Sequence, residues 1–273
     1  SVDMDKALVL SEEFISTGKE SSEVTQDYKP WAGSWWALKK GELIWGYNNR
    51  NTFSDRIKDE VDPIKQEMDK LSAEIRDLKE DSDKDERDEK RKLYGEKQNE
   101  LVEKIKEFYG KIQSDLDGGK LVYENGKLTH AEDDWSYDLN ELSPMDKYAL
   151  AQYDAGDDVN NPFFIAAWEI LNSYNPGGES WWGHCNGWAA AAILTNEPRE
   201  SVTYRIGEND VEFTTADQKG LLTESHYSTY SQFYGERYNG EDDNVSDLSP
   251  KAFHNLITFF IKEQGVPMVF DTT

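Results

Sequence analysis

The chain has 273 residues, of which 55 are acidic and 30 basic, so its formal charge is −25. So acidic a surface repels phosphate backbones and anionic lipid head groups alike, which excludes a nucleic-acid partner and polybasic membrane binding. Hydrophobic residues make up 37% and aromatics 12%, with nine Trp, which is too much core-forming material for a disordered chain and implies a globular fold diluted by some very polar segment.

The longest apolar stretch, Trp188 to Leu194, is far short of the roughly 20 residues that span a bilayer. The chain begins Ser1-Val-Asp-Met-Asp-Lys6 with neither a basic nor an apolar leader, so a secretory signal is read as absent or already removed. Residues 1–29 read as a polar N-terminal segment, a candidate pro-region, and residues 30–273 as the main domain. That domain opens on Trp31-Ala-Gly-Ser-Trp-Trp36, either a packed corner or a flat binding platform.

From Ile57 to Leu78 apolar residues fall at Ile57, Val61, Ile64, Met68, Leu71, Ile75 and Leu78, an alternation of four and three that marks a helix with one apolar stripe. The run Glu80 to Glu89 has no apolar residue, and the stripe resumes at Tyr94, Leu101, Ile105, Phe108 and Ile112. The expectation is an antiparallel helical hairpin inserted at about 56–115, its first helix opened by Asp62 as cap and Pro63. Such a hairpin serves as a structural insertion or pro-region arm, or as a dimerisation or partner-binding arm. Asn125-Gly126 inside Leu121 to Thr129 tolerates two positive φ angles and predicts a β-hairpin. Ser143-Pro144 starts a helix, Pro162 to Leu171 reads as another, and Asn175-Pro-Gly-Gly178 ends it.

After that breaker comes Gly183-His-Cys-Asn-Gly-Trp-Ala-Ala-Ala-Ala-Ile-Leu194. A single Cys excludes an internal disulfide framework and a Cys-based structural zinc site. It leaves Cys185 as a buried small residue or a nucleophile. Placed on a glycine-flanked turn at a helix N-terminus, its thiolate is favoured by free N–H groups and the helix dipole, and those N–H groups can stabilise an oxyanion. The base must be one of His130, His184, His226 or His254. His184 is disfavoured because sequence neighbours on such a turn point apart, and His226 lies in a Tyr/Ser-rich loop that could reach the site. Ser249-Pro250 opens a helix carrying His254, and Val266 to Asp271 reads as a strand ending in a carboxylate. The order Cys, His, Asp is that of papain-like thiol enzymes, in which the acid orients the imidazole.

The Cys segment, with Lys219-Gly-Leu-Leu222, Ser249-Pro-Lys-Ala-Phe-His254, Val269-Phe-Asp271 and the block Pro30 to Trp36, resembles the transglutaminase elicitor family, secreted protein-crosslinking enzymes of plant-pathogenic oomycetes with relatives in Vibrio-type bacteria. The resemblance implies an α+β, mostly helical fold with a papain-like or transglutaminase-like active site interrupted by the hairpin. It also implies a secreted, calcium-stimulated enzyme acting on glutamine- and lysine-bearing proteins, with Cys185 as nucleophile, His254 as base and Asp271 as the acid behind it. The family chain continues beyond the position of Asp271 into a Trp-Asn-Gln-Pro segment, so this chain looks truncated or processed at its C-terminus. Acidic loops at Asp154, Asp157 and Asp158, and at Asp242, Asp243 and Asp247, are candidate calcium ligands, although neither has the spacing of an EF-hand. A papain-like peptidase or glutamine deamidase would use the same residues, and a non-catalytic binding protein would use the aromatic block and the acidic hairpin instead, with Cys185 merely buried.

Overall fold

The structure is a computed structural model and describes residues 30–79, 83–156, 161–235 and 248–270. It is mixed helix and sheet, mostly helical, with two small antiparallel sheets. The heptad stripe builds helices α1 (Lys58–Asp77) and α2 (Lys84–Asp117). Val61, Ile64, Met68 and Leu71 of α1 are buried with Leu101, Ile105, Tyr109 and Ile112 of α2. Across the outer face Lys90 pairs with Glu74, Lys97 with Glu67 and Lys104 with Glu60, so each step of seven forward on α2 is seven back on α1. That register is antiparallel, and exposed pairs of this kind set alignment more than stability. The base of the hairpin joins the main core, where Tyr109 stacks on Phe163 with centroids 5.4 Å apart. Tyr94 toward the other end is only half-buried.

Pro63 does not open α1. A 3-10 turn at Phe53–Ile57, anchored by buried Phe53 and Ile57, runs directly into the helix, and Pro63 lies inside it. This close to the N-terminus proline forfeits one backbone bond only. Asp62 is no cap either; its carboxylate accepts from Tyr174 Oη at 2.5 Å and from Lys58 Nζ at 3.0 Å.

Asn125 and Gly126 turn strand β1 (Leu121–Glu124) back into β2 (Lys127–His130) with φ of 52° and 78°, and β3 (Ser136–Asp138) adds to β2. Ser143 caps α3 (Pro144–Ala155), its hydroxyl accepting from the Asp146 N–H. α4 (Phe164–Trp168) passes into a π turn at Glu169–Ser173. Beyond the Asn175 breaker come α5 (Cys185–Leu194), the hairpin β4 (Val202–Ile206) and β5 (Asn209–Phe213), then α6 (Thr215–Ser225). The β4–β5 pair is absent from the sequence expectations, yet Gly207-Glu208 between Ile206 and Asn209 is a two-residue turn with Gly207 at φ 57°. Ser249 caps α7 (Pro250–Ile257), as expected, and a π turn follows at Thr258–Glu263. Val266 to Phe270, expected as a strand, pairs with no other strand among the described residues; the Val266 N–H bonds back to the Phe260 carbonyl instead. No helix among the described residues is long and apolar enough to cross a membrane.

A buried charge cluster fastens these layers. Asp217, the third residue of α6, reciprocally caps Thr214 and accepts from Lys147 Nζ of α3 at 2.9 Å. Its other oxygen accepts from Arg50 Nη1 at 2.5 Å and Tyr47 Oη at 2.8 Å. Burial alone would raise the Asp217 carboxyl, but Lys147 and Arg50 outweigh it and hold the group below the ordinary carboxylate range. Stability from a depressed carboxyl is complete above its unfolded pKa and is lost as pH falls through the folded value. Replacing Asp217→Asn leaves Lys147 buried without a counter-charge and is expected to cost about 3–5 kcal/mol at pH 7. Denaturant unfolding against pH checks this, and the variant's stability should fall less steeply than the wild type's below about pH 4.

Candidate active site

Two separate segments build the turn that carries Cys185. Residues 35–38 run antiparallel to 182–184, with the His184 N–H donating to Trp35 O at 2.5 Å, the Leu38 N–H to Trp182 O at 3.0 Å, and Ala37 bridged to Gly183. Gly183 is required there, since a Cβ would overlap the Trp35 carbonyl oxygen. Helix α5 then begins at Cys185 and leans on the end of α6. Gly187 lies so close that a Cβ would overlap the Thr223 carbonyl oxygen, and Asn186 Nδ2 donates to Tyr227 O at 2.8 Å. The alanines after Cys185 let α5 bury Ala191 and Ala192 against Trp31, whose indole N–H reaches Thr195 O at 3.2 Å.

The turn sends the side chains of His184 and Cys185 in opposite directions. Cys185 is exposed at the first residue of α5, where helix N–H groups without intrahelical partners favour an anion. His184 points inward and is 1% exposed, with Nδ1 2.9 Å from Trp36 O. A carbonyl can only accept, so Nδ1 carries a proton. Nε2 lies 3.0 Å from Glu169 Oε2, at the start of the π turn, and 3.2 Å from Glu224 Oε2 near the end of α6. Both carboxylates are buried. Burial alone would lower the imidazole, but hydrogen bonds and charge from Glu169 and Glu224 hold it up at about 10, and burial pushes Glu224 above its ordinary range.

Of the expected base and acid, only His254 lies among the described residues. His254 is half-buried on α7, and among the described residues no hydrogen bond joins it to Cys185. Asp271 lies outside the described residues. His226 ends α6, one residue before the Tyr227 that contacts α5, and its Nδ1 is 3.0 Å from Thr229 Oγ1. His130 is a structural residue in the first sheet, where its Nδ1 accepts from the Glu132 and Asp133 N–H groups. Of the candidate calcium ligands, Asp154 is an exposed residue near the end of α3, whereas Asp157, Asp158, Asp242, Asp243 and Asp247 lie outside the described residues. The sequence reading missed Glu169 and Glu224. Each had a signal, a lone acid in Phe163-Phe-Ile-Ala-Ala-Trp-Glu-Ile-Leu171 and another after Leu221-Leu-Thr223.

The aromatic block divides between the two expected roles: Trp31 and Trp36 are buried, while Trp35 is 46% exposed against Gly183. Trp181, 69% exposed, meets Trp182 edge-on at 6.1 Å. Indoles from both sides of the paired segments therefore stand around the Cys185 turn.

A family model described as transglutaminase elicitor matches residues 177–255, a stretch that begins before the Cys185 turn and ends just after His254. The match supports the resemblance read from the motifs. No curated protein and no solved structure matches the chain.

Close approach at Gly187 has a measurable consequence. Gly187→Ala should lower stability by about 1–3 kcal/mol by forcing α5 from α6. Gly110→Ala, in open space within α2, should raise it by roughly 0.5–1 kcal/mol. Denaturant titration of both variants tests the contrast.

Proposed function

We propose that the chain is a protein-glutamine γ-glutamyltransferase, a transglutaminase that forms isopeptide bonds between glutamine and lysine side chains through a thioester on Cys185. The observation that carries this reading is the exposed thiol at the first residue of α5, within the stretch matched by the transglutaminase elicitor model.

In the first half-reaction the Cys185 thiolate attacks the γ-carboxamide carbon, the carbon–nitrogen bond breaks, and ammonia leaves with a proton from His254. In the second, a lysine ε-amine gives its proton to His254 and attacks the thioester, releasing the thiolate and leaving an isopeptide bond. Water attacking instead would yield glutamate. Trp35, Trp181 and Trp182 offer flat apolar walls from which the rest of an acyl donor can exclude water, which favours the amine. A Cys, His and Asp order on a papain-like plan makes Asp271 the group orienting His254. His226 is the second candidate base, favoured by its place at the α6 end that touches α5. Calcium stimulation, secretion and a pro-region role for residues 1–29 belong to the same reading, taken from the family resemblance.

Incorporation of a fluorescent primary amine into a glutamine-rich acceptor, with and without calcium and after limited proteolysis, tests the proposal. Cys185→Ala should abolish incorporation, by at least about 10⁴-fold. His254→Ala should reduce it by about 10³-fold and His226→Ala far less; the reverse order would make His226 the base. Glutamate formation without amine incorporation would identify a deamidase. An inert Cys185 towards iodoacetamide would identify a binding protein.

A further inference from the structure

We infer that Glu169, His184 and Glu224 form a site for one divalent first-row transition-metal ion, buried behind the Cys185 turn. One ligand atom from each residue lies within 4.8 Å of the others, and the two measured approaches to His184 Nε2 are 3.0 and 3.2 Å. Ligands bonded at about 2.0–2.2 Å to a tetrahedral ion stand roughly 3.3 Å apart, so both carboxylate oxygens already lie at about the spacing from the nitrogen that such an ion imposes. The ring is oriented as a metal-bound imidazole is, with the far nitrogen donating to a backbone carbonyl, here Trp36 O at 2.9 Å.

The hydrogen bonding at the cluster is incomplete. Nε2 can offer one proton, and Glu169 Oε2 takes it. Glu224 Oε2 shares that same nitrogen at 3.2 Å and has no donor of its own among the described residues, on a side chain 2% exposed, and Glu169 Oε1 is likewise buried without a donor among them. A buried carboxylate oxygen left this way is costly, and a cation at the common point of the three side chains would satisfy it, with Nε2 supplying its lone pair in place of its proton. The donor set names the class of ion. One imidazole nitrogen and two carboxylates suit zinc or manganese, whereas calcium takes six to eight oxygens. The site is thus separate from any calcium requirement, and the inference does not depend on acyl transfer. Since the ligands come from the π turn, the start of α5 and the end of α6, the ion would fix three elements at the base of the Cys185 turn.

The test is zinc titration of the chelator-stripped full chain carrying Cys185→Ala, so that the thiol cannot contribute, with competition against a chromophoric chelator. One ion per chain is expected, with X-ray absorption reporting one imidazole, carboxylate oxygens and no sulfur. Glu224→Gln, which preserves shape, should weaken binding at least about 100-fold while His226→Gln and His254→Gln leave it unchanged. Absence of stoichiometric binding, or an absorption shell with two or more imidazoles, would overturn the site and leave a carboxyl proton as the group shared between Glu169 and Glu224. Binding untouched by Glu224→Gln would do the same. Should that variant not fold by circular dichroism, the coordination shell of the folded chain decides.

Discussion

A buried imidazole cannot be left without partners, and His184 is where that constraint acts. Its ring draws in Trp36 from the N-terminal block, Glu169 from the π turn and Glu224 from α6, three segments far apart in sequence. The neighbouring residue then has one direction left. Cys185 faces solvent because His184 faces the core, so the inward anchor and the outward thiol are one backbone decision. The glycines on either side serve the same turn, Gly183 by admitting the paired strand segment and Gly187 by admitting the end of α6.

Polar burial recurs as the organising device of the fold. Asp217 ties the cap of α6 to Lys147 on α3 and to Arg50 and Tyr47 on the segment leading to the hairpin. Asp146, fully buried, accepts from the Thr52 and Ser54 hydroxyls and the Ser54 N–H, holding the 3-10 turn at the base of α1. Such groups penalise every arrangement in which they lack partners, so they select one packing among the many that an aromatic-rich core would tolerate. The hairpin is different. Its apolar stripe is used inside the molecule, and its outer ion pairs are exposed and individually weak.

The two faces of the Cys185 turn divide the chemistry. Outside, an exposed sulfur at a helix start and three exposed indoles form the face on which the proposed acyl transfer rests. Inside, no hydrogen bond among the described residues leads from the Glu–His–Glu cluster to the sulfur, and the cluster fixes the backbone of the turn. A histidine beside a cysteine in sequence is therefore an anchor here, pointing away from the sulfur as the steric argument that disfavoured it as base expects, although that argument gave no hint of its partners.

The features legible along the chain are local ones. The heptad alternation specified α1 and α2, Asn125-Gly126 specified a hairpin, and Ser-Pro pairs specified the starts of α3 and α7, because periodicity, turn chemistry and capping involve residues within one or two turns of each other. The helix at Cys185 and its motif were legible for the same reason. Tertiary structure alone decided the rest. It divided the Trp block between core and surface, kept Pro63 inside a helix that a preceding turn had already started, left Val266 to Phe270 without a strand partner among the described residues, and closed Glu169 and Glu224 on His184. Each of these depends on which distant groups meet in a low-dielectric interior, where an unpaired charge or backbone group is costly, and no pattern along the chain encodes that meeting.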